Sequence, residues 1–414
     1  MATEPKAASF PMPQTAGFGW LKAAPHRLFF FLASVLLLLA SGWWSMVLVL
    51  RLLGVAMPGA TAPTLAHAAA MLYTFLPMYM FGFLFTAGPS WLAVKGPDAP
   101  ALHSTALLAG ASGAGMITLS AFSMSGSGIA ALVLCACWAR LLLVFHRLIR
   151  ASTLPDRRHA RLVLAFTLPG AAGLAAHALL CLSEDFRLFT WVTVAGLWFF
   201  VVPVLLIVLH RMLPFFTVSA IPTFAAWRPH WVLWCFLSAS VGHGALELAG
   251  LSRSLWMFDA LAAAFLIWIG LRWGLLHSLR IRLLAMLHLG FGWLALAFAL
   301  YAGDGLLAFI GARGLGLAPL HAATMGFVAS TVFAMVTRVS CGHSGRPLAA
   351  DDATWRLFWL LQTATLLRLG AELWPPAYPW LVTAAVLAWL AAFSGWAWKY
   401  VPVYLRVRAD GKPG

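Results

Sequence analysis

Along this chain, long apolar stretches alternate with short connections that hold most of the polar and charged residues. The stretches fall at about 27–54, 65–93, 101–124, 127–149, 160–182, 186–209, 230–250, 254–277, 282–301, 317–340, 354–374 and 378–403. Each approaches or exceeds the roughly 20 residues that a helix needs to cross a bilayer. Many connections carry Pro or Gly, as at Pro58, Gly59 and Pro63, Gly96 and Pro97, Pro155, and Pro375, Pro376 and Pro379, which end helices and shape turns. The pattern predicts an all-α polytopic membrane protein with about twelve transmembrane helices. Its expected parts are an N-terminal tail over 1–26, a single transmembrane domain over 27–404 and a C-terminal tail over 405–414. Met1 to Pro25 lacks the basic–apolar–small-residue plan of a signal peptide, so the first span is expected to direct insertion.

Composition agrees. The chain is 62% hydrophobic and 9% charged, with a mean hydropathy of +0.89; a soluble domain of this length needs more charge on its surface. The formal net charge of +15 excludes nothing by itself, but the basic residues sit in loops and form no patch or stripe, so nucleic-acid binding is rejected. With the N-terminus inside, 21 of the 27 Lys and Arg fall on the inner side and four outside (Arg51, Arg187, Arg253, Arg313), while Arg140 and Arg368 lie within spans. The positive-inside rule then predicts both termini cytoplasmic. Cys135, Cys137, Cys181, Cys235 and Cys341 contain no CxxC pair; they predict neither disulfides nor a zinc site, and each is read as a small buried apolar residue. The run Ala109-Gly-Ala-Ser-Gly-Ala-Gly115 predicts close helix packing.

Ionisable residues within spans are costly and mark function by default. Of the 13 histidines, His26, His146, His159, His210, His230 and His343 lie at or near basic loops and are read as solvated or facing lipid phosphate. His103 and His277 sit at cytoplasmic ends. His67, His177, His243 and His321 fall in the outer third of four different spans, together with Glu247, while His288 lies nearer the inside. His67 and Met71, His243 and Glu247, and His321 and Met325 are each four apart and share a helix face. Imidazole and thioether groups on facing helices suit haem or copper. For any one histidine, hydration or a bond to a neighbouring carbonyl is the plainer role, and the Met residues serve equally as core filler. On composition and spacing alone, a metal or haem site and the proton or substrate path of a transporter stand level.

Two segments change that balance: His67-Ala-Ala-Ala-Met-Leu-Tyr-Thr-Phe75 with Gly82-Phe-Leu-Phe-Thr-Ala-Gly-Pro-Ser-Trp91, and His321-Ala-Ala-Thr-Met-Gly-Phe327 with Met335-Val-Thr-Arg-Val-Ser-Cys-Gly-His-Ser-Gly-Arg-Pro-Leu348. They strongly resemble the NnrS family of bacterial inner-membrane proteins, as do Arg211-Met-Leu-Pro-Phe-Phe-Thr217 and Leu287-His-Leu-Gly-Phe-Gly-Trp293. The resemblance implies a haem- and copper-containing membrane protein tied to nitric oxide metabolism, denitrification and resistance to nitrosative stress. His67, His288, His321 and His343 fall on family histidines. The family's second span reads His-x-His-Glu-Met; here Ala69 and Ala70 stand at its second His and its Glu, which predicts haem with less than one copper per chain. The span plan also resembles haem–copper oxidase subunit I, but the paired copper-site histidines are absent, so oxygen reduction is not predicted.

The expected function is thus haem binding and nitric oxide handling in the bacterial inner membrane, with His67 and His321 as axial ligands. His243 and His177 come next, His243 as a further metal ligand, with Glu247 as proton or hydrogen-bond partner. Met71, Met325 and His288 complete the expected cofactor surroundings. His343 and Arg346 are expected to hold an anionic group such as a haem propionate or a lipid phosphate. Two alternatives are a redox enzyme that transforms nitric oxide and a solute transporter without cofactor.

Overall fold

A computed structural model describes residues 17–55, 61–251 and 255–411. Residues 1–16, which make up most of the expected N-terminal tail, lie outside the described residues, as do Pro58, Gly59, Arg253 and Lys412. The described chain is all-helical and contains no strand. Its long helices are α1 Pro25–Leu52, α2 Pro63–Leu92, α3 Ala99–Leu119, α4 Met124–Ala151, α5 Arg158–Ser183, α6 Phe186–Ala220, α7 His230–Leu248, α8 Trp256–Arg272, α9 Arg282–Phe309, α10 Ala318–His343, α11 Asp352–Leu373 and α12 Pro375–Tyr404. Among the described residues, nine are long and apolar enough to span a bilayer, namely all but α3, α8 and α11. The α8 helix has 17 residues. Small and hydroxyl residues dilute α3, and α11 carries Asp352, Arg356, Gln362, Arg368 and Glu372. Two helices run well past their expected ends, α6 to Ala220 and α9 to Phe309.

Local chemistry sets the ends. Pro25 and Pro63 open α1 and α2, where a missing N–H costs nothing. Ser123 and Asp351 cap α4 and α11 by accepting from the main-chain N–H of Gly126 and Thr354. Within α2, Thr74 leaves helical geometry at φ −104°, ψ −87°. Pro77 lies three residues on and cannot donate to the Tyr73 carbonyl, the partner its position would require.

The termini close the bundle: α12 packs on α1, and Trp389 Nε1 donates to Ser41 Oγ at 2.9 Å. The small-residue run of α3 lies against α1 as expected, since a Cβ at Gly110 or Gly113 would sit 3.1 or 3.2 Å from Leu32 or Leu36. The Tyr73 hydroxyl donates to the Val192 carbonyl at 2.5 Å and passes so close to Gly173 and Gly196 that neither position has room for a Cβ. Exposed Trp191, Trp374 and Trp380 ring one end of the bundle and exposed Trp398 marks the other, as in an aromatic belt. Cys137, Cys181 and Cys341 are buried, whereas Cys135 is half-buried and Cys235 exposed.

Candidate functional site

Alternating helix direction brings the C-terminal parts of α1 and α11 to the same end of the bundle as the N-terminal turns of α2, α10 and α12. Trp44, His67, His321, Arg368 and Tyr378 come from these five segments. The His67 ring stacks on Trp44 with centroids 4.1 Å apart, and its Nδ1 is buried without a hydrogen-bond partner. His321 Nδ1 donates to the Leu317 carbonyl at 2.9 Å. That bond puts the ring proton on Nδ1 and the lone pair on Nε2, the arrangement in which a carbonyl orients a metal-binding imidazole. The two imidazoles lie within electrostatic reach of each other, and the charge of Arg368 reaches both. Arg368 is 7% exposed; it pairs with Glu372 at 2.8 Å and lies over the Tyr378 ring at 5.7 Å. Leu48, Ala371, Val382 and Val386 form a small apolar cluster beside this end, with Trp44 packed against it.

A second polar cluster is built on α6–α9. His243 Nδ1 donates to Asp259 Oδ1 at 2.8 Å, and both side chains are 1% exposed. His243 Nε2 is buried without a hydrogen-bond partner and stands 3.7 Å from Glu247 Oε2, whose side chain is 39% exposed. Trp198 and Tyr301 hold the imidazole on its flanks, at centroid distances of 4.3 and 4.4 Å. The series Glu247–His243–Asp259 therefore runs from the surface of the bundle to a fully buried carboxylate.

Both clusters adjoin a π-helical segment. One, Ala322–Ala329, follows His321 directly and contains Met325; the other, Leu197–Val201, contains Trp198. Such segments are rare and gather at functional sites. No spacing in the sequence announces them.

The four histidines expected in the outer third thus do not converge on one centre. His67 and His321 stand at one end of the bundle near Arg368, and His243 joins Asp259 and Glu247. His177 has Cys181 Sγ 3.7 Å from its Nε2, with Nδ1 buried and without a partner. His288 lies apart: Thr217 donates to the Leu213 carbonyl at 2.9 Å, so its oxygen accepts from His288 Nε2 at 3.0 Å and Nδ1 is left bare. Met71 and Met325 are partly buried against the core. His343 is exposed and Arg346 half-buried; His343 lies 22 positions from His321 on one helix, about 33 Å away. The loop histidines include a correction: His26, His159 and His210 are 3%, 5% and 0% exposed and so are not solvated. His159 Nε2 and His210 Nδ1 instead bond each other at 3.0 Å.

Asp259 escaped the sequence reading, although a lone carboxylate four residues into an apolar helix carries the same signal of cost as Glu247. Arg368 was visible as an intramembrane charge, but its partners were not.

The donor set can be tested against a haem. Among the described residues, no group of three or more His, Cys, Asp and Glu is arranged to hold a metal ion. A haem with two axial histidines requires two imidazoles; His67 and His321 stand at one end of the bundle, and Arg368, already paired with Glu372, is a cation beside them. Ala69 and Ala70, each 1% exposed, offer only methyl groups to a second metal. A void of about 490 Å³ lies elsewhere among Phe30, Tyr79, Met80, Val204, Val332 and Met335 and is apolar. No curated protein matches the chain. A family model described as NnrS protein matches residues 21–408, nearly the whole chain, and the protein therefore belongs to the NnrS family.

Proposed function

We propose that this protein binds haem at the outer face of the bacterial inner membrane through His67 and His321 and uses it to handle or resist nitric oxide. Membership of the NnrS family supports a nitric-oxide-related membrane protein in general terms. The observation that carries the haem assignment is the pair of imidazoles from α2 and α10, at one end of the bundle and within reach of Arg368, with His321 Nδ1 anchored on Leu317. Haem would supply an iron that binds nitric oxide. The chain supplies the rest: Leu317 fixes the tautomer, Trp44 holds the His67 ring, and Arg368 offsets anionic charge. Copper is left out, because Ala69 and Ala70 remove two donors. In the full arrangement all twelve long helices cross the membrane and both termini are cytoplasmic, in line with the distribution of Lys and Arg.

The test is the absorption spectrum and haem content of purified wild type, His67→Ala and His321→Ala. Two axial imidazoles give a low-spin spectrum; each substitution should give a high-spin form or lose haem, while His288→Ala leaves the spectrum unchanged. If both outer variants keep the wild-type spectrum and haem content, the assignment is wrong, and His177 and His243 become the pair to examine.

The Glu247–His243–Asp259 series favours a second reading, in which nitric oxide is reduced. That chemistry consumes protons, and these three groups would deliver them from the surface. Nitric oxide consumption with an electron donor, compared between wild type and Glu247→Gln, separates turnover from binding.

A further inference from the structure

At the end of the bundle opposite His67, the first turn of α1 meets the last turns of α10 and α12 in a closely packed polar cluster. His26, Arg27, Ser340, His343, Ser344 and Tyr404 are brought together there. Arg27 is 2% exposed, and its guanidinium donates to the Arg406 carbonyl at 2.8 Å, which is a neutral acceptor. Among the described residues no carboxylate forms an ion pair with Arg27; the charge that acts on it is that of Arg408. Arg408 is itself held by Asp410 through two bonds of 2.9 and 2.7 Å. His26 is 3% exposed, lies 4.8 Å from the His343 ring, and has a buried Nδ1 without a partner. The Ser340 and Tyr404 hydroxyls share one bond of 2.7 Å, which leaves a further hydroxyl proton for an acceptor.

This arrangement is costly as it stands. A guanidinium cannot shed its proton, and a buried charge needs a counter-charge. Arg27 also lies in the first turn of a 28-residue helix, where the macrodipole is positive and repels a cation. An anion would relieve all three problems, and the N–H groups of a helix start favour one. The donors are several, fixed and converge from three helices, which suits a tetrahedral oxyanion better than a halide.

We propose that the His26–Arg27–His343 cluster is a binding site for a phosphate group. Its location, about 33 Å along α10 from His321, makes it independent of the haem reading. The phosphate can come from free phosphate or from the headgroup of an anionic lipid, since the cluster reaches the surface at exposed His343, where α1 begins and α10 and α12 end.

The intact protein, purified in phosphate-free maltoside detergent, tests this by thermal unfolding during titration with inorganic phosphate or, separately, with short-chain phosphatidylglycerol. A saturable rise in melting temperature with phosphate identifies a free-anion site. A rise with phosphatidylglycerol alone identifies a lipid headgroup site. Either rise should be weakened about tenfold or more in apparent affinity by Arg27→Gln, which removes the charge, and by His343→Leu, which removes a hydrogen-bond donor. Arg150→Gln, at an exposed cation on α4, should leave it intact. Should Arg27→Gln fail to fold, exposed His343 decides alone. If neither probe shifts the unfolding, or if the folded cluster variants respond as wild type does, the site is refuted.

Discussion

Replacing Asp259 by Ala removes the acceptor on which His243 depends. Both side chains are 1% exposed, and their bond measures 2.8 Å. Three magnitudes bear on the cost. An ordinary interhelical hydrogen bond in a membrane protein averages about 0.6 kcal/mol, because the unfolded state in the membrane finds substitute partners. A buried donor left unsatisfied costs about 1–3 kcal/mol, and a broken buried ion pair about 3–5 kcal/mol. The surroundings decide among them. Trp198, Phe298 and Tyr301 enclose the ring at centroid distances of 4.3, 5.7 and 4.4 Å. Nε2 is buried and already unpartnered, so the imidazole cannot swing to a new acceptor on Nδ1. The coupling between Asp259 and His243 is therefore expected at about 1–3 kcal/mol, above the typical membrane value. A double-mutant cycle measures it: wild type, Asp259→Ala, His243→Ala and the double variant are unfolded in mixed micelles, where each 1.4 kcal/mol is a tenfold change in the equilibrium constant. A coupling below about 0.5 kcal/mol would refute the reasoning, because Asp259 and His243 would then be independent and the relay would lose its inner member.

Other expectations are more local. Gly196→Ala places a methyl group on the Tyr73 hydroxyl and should lower stability by about 1–3 kcal/mol; Gly292→Ala, with open space around its Cβ position, should be neutral or stabilising by up to about 1 kcal/mol in the same unfolding assay. Asp351, in the α10–α11 connection, is held down at about 2 by the bond from Lys399 and by the Thr354 N–H and hydroxyl. A depressed carboxyl stabilises the fold above its ordinary range near 4 and loses that contribution as pH falls toward 2. Asp351→Asn should therefore lower the melting temperature equally at pH 6 and pH 8 and converge with wild type as the pH approaches 2; because the Asp351 side chain is 61% exposed, the difference stays small. Reporter fusions after Arg158 and after Lys412 should read cytoplasmic and one near Asp304 external; a cytoplasmic signal near Asp304 would overturn the span count.

Apolar run length and the placement of Lys and Arg alone determined that this is an all-helical membrane protein, because a bilayer sets the length of a spanning element and offers the backbone no hydrogen bonds. Local i,i+4 spacing also placed His243 beside Glu247, and the small residues of α3 foretold close packing. Which distant groups meet was beyond that logic. A hydropathy pattern gives each side chain a depth but no rotation about the bundle, so four histidines at one depth read as one cluster. Helix packing set His67 and His321 at one end near Arg368, coupled His243 to Asp259 and left His177 apart. Likewise, a basic residue near a loop reads as solvated until the fold shows what covers it. Arg27 and His26 became buried only because α10, α12 and the chain beyond Tyr404 close over the start of α1, a contact between the two ends of the sequence. The π-helical turns beside His321 and His243 are likewise visible only in the folded chain, where one of them sets Trp198 against His243.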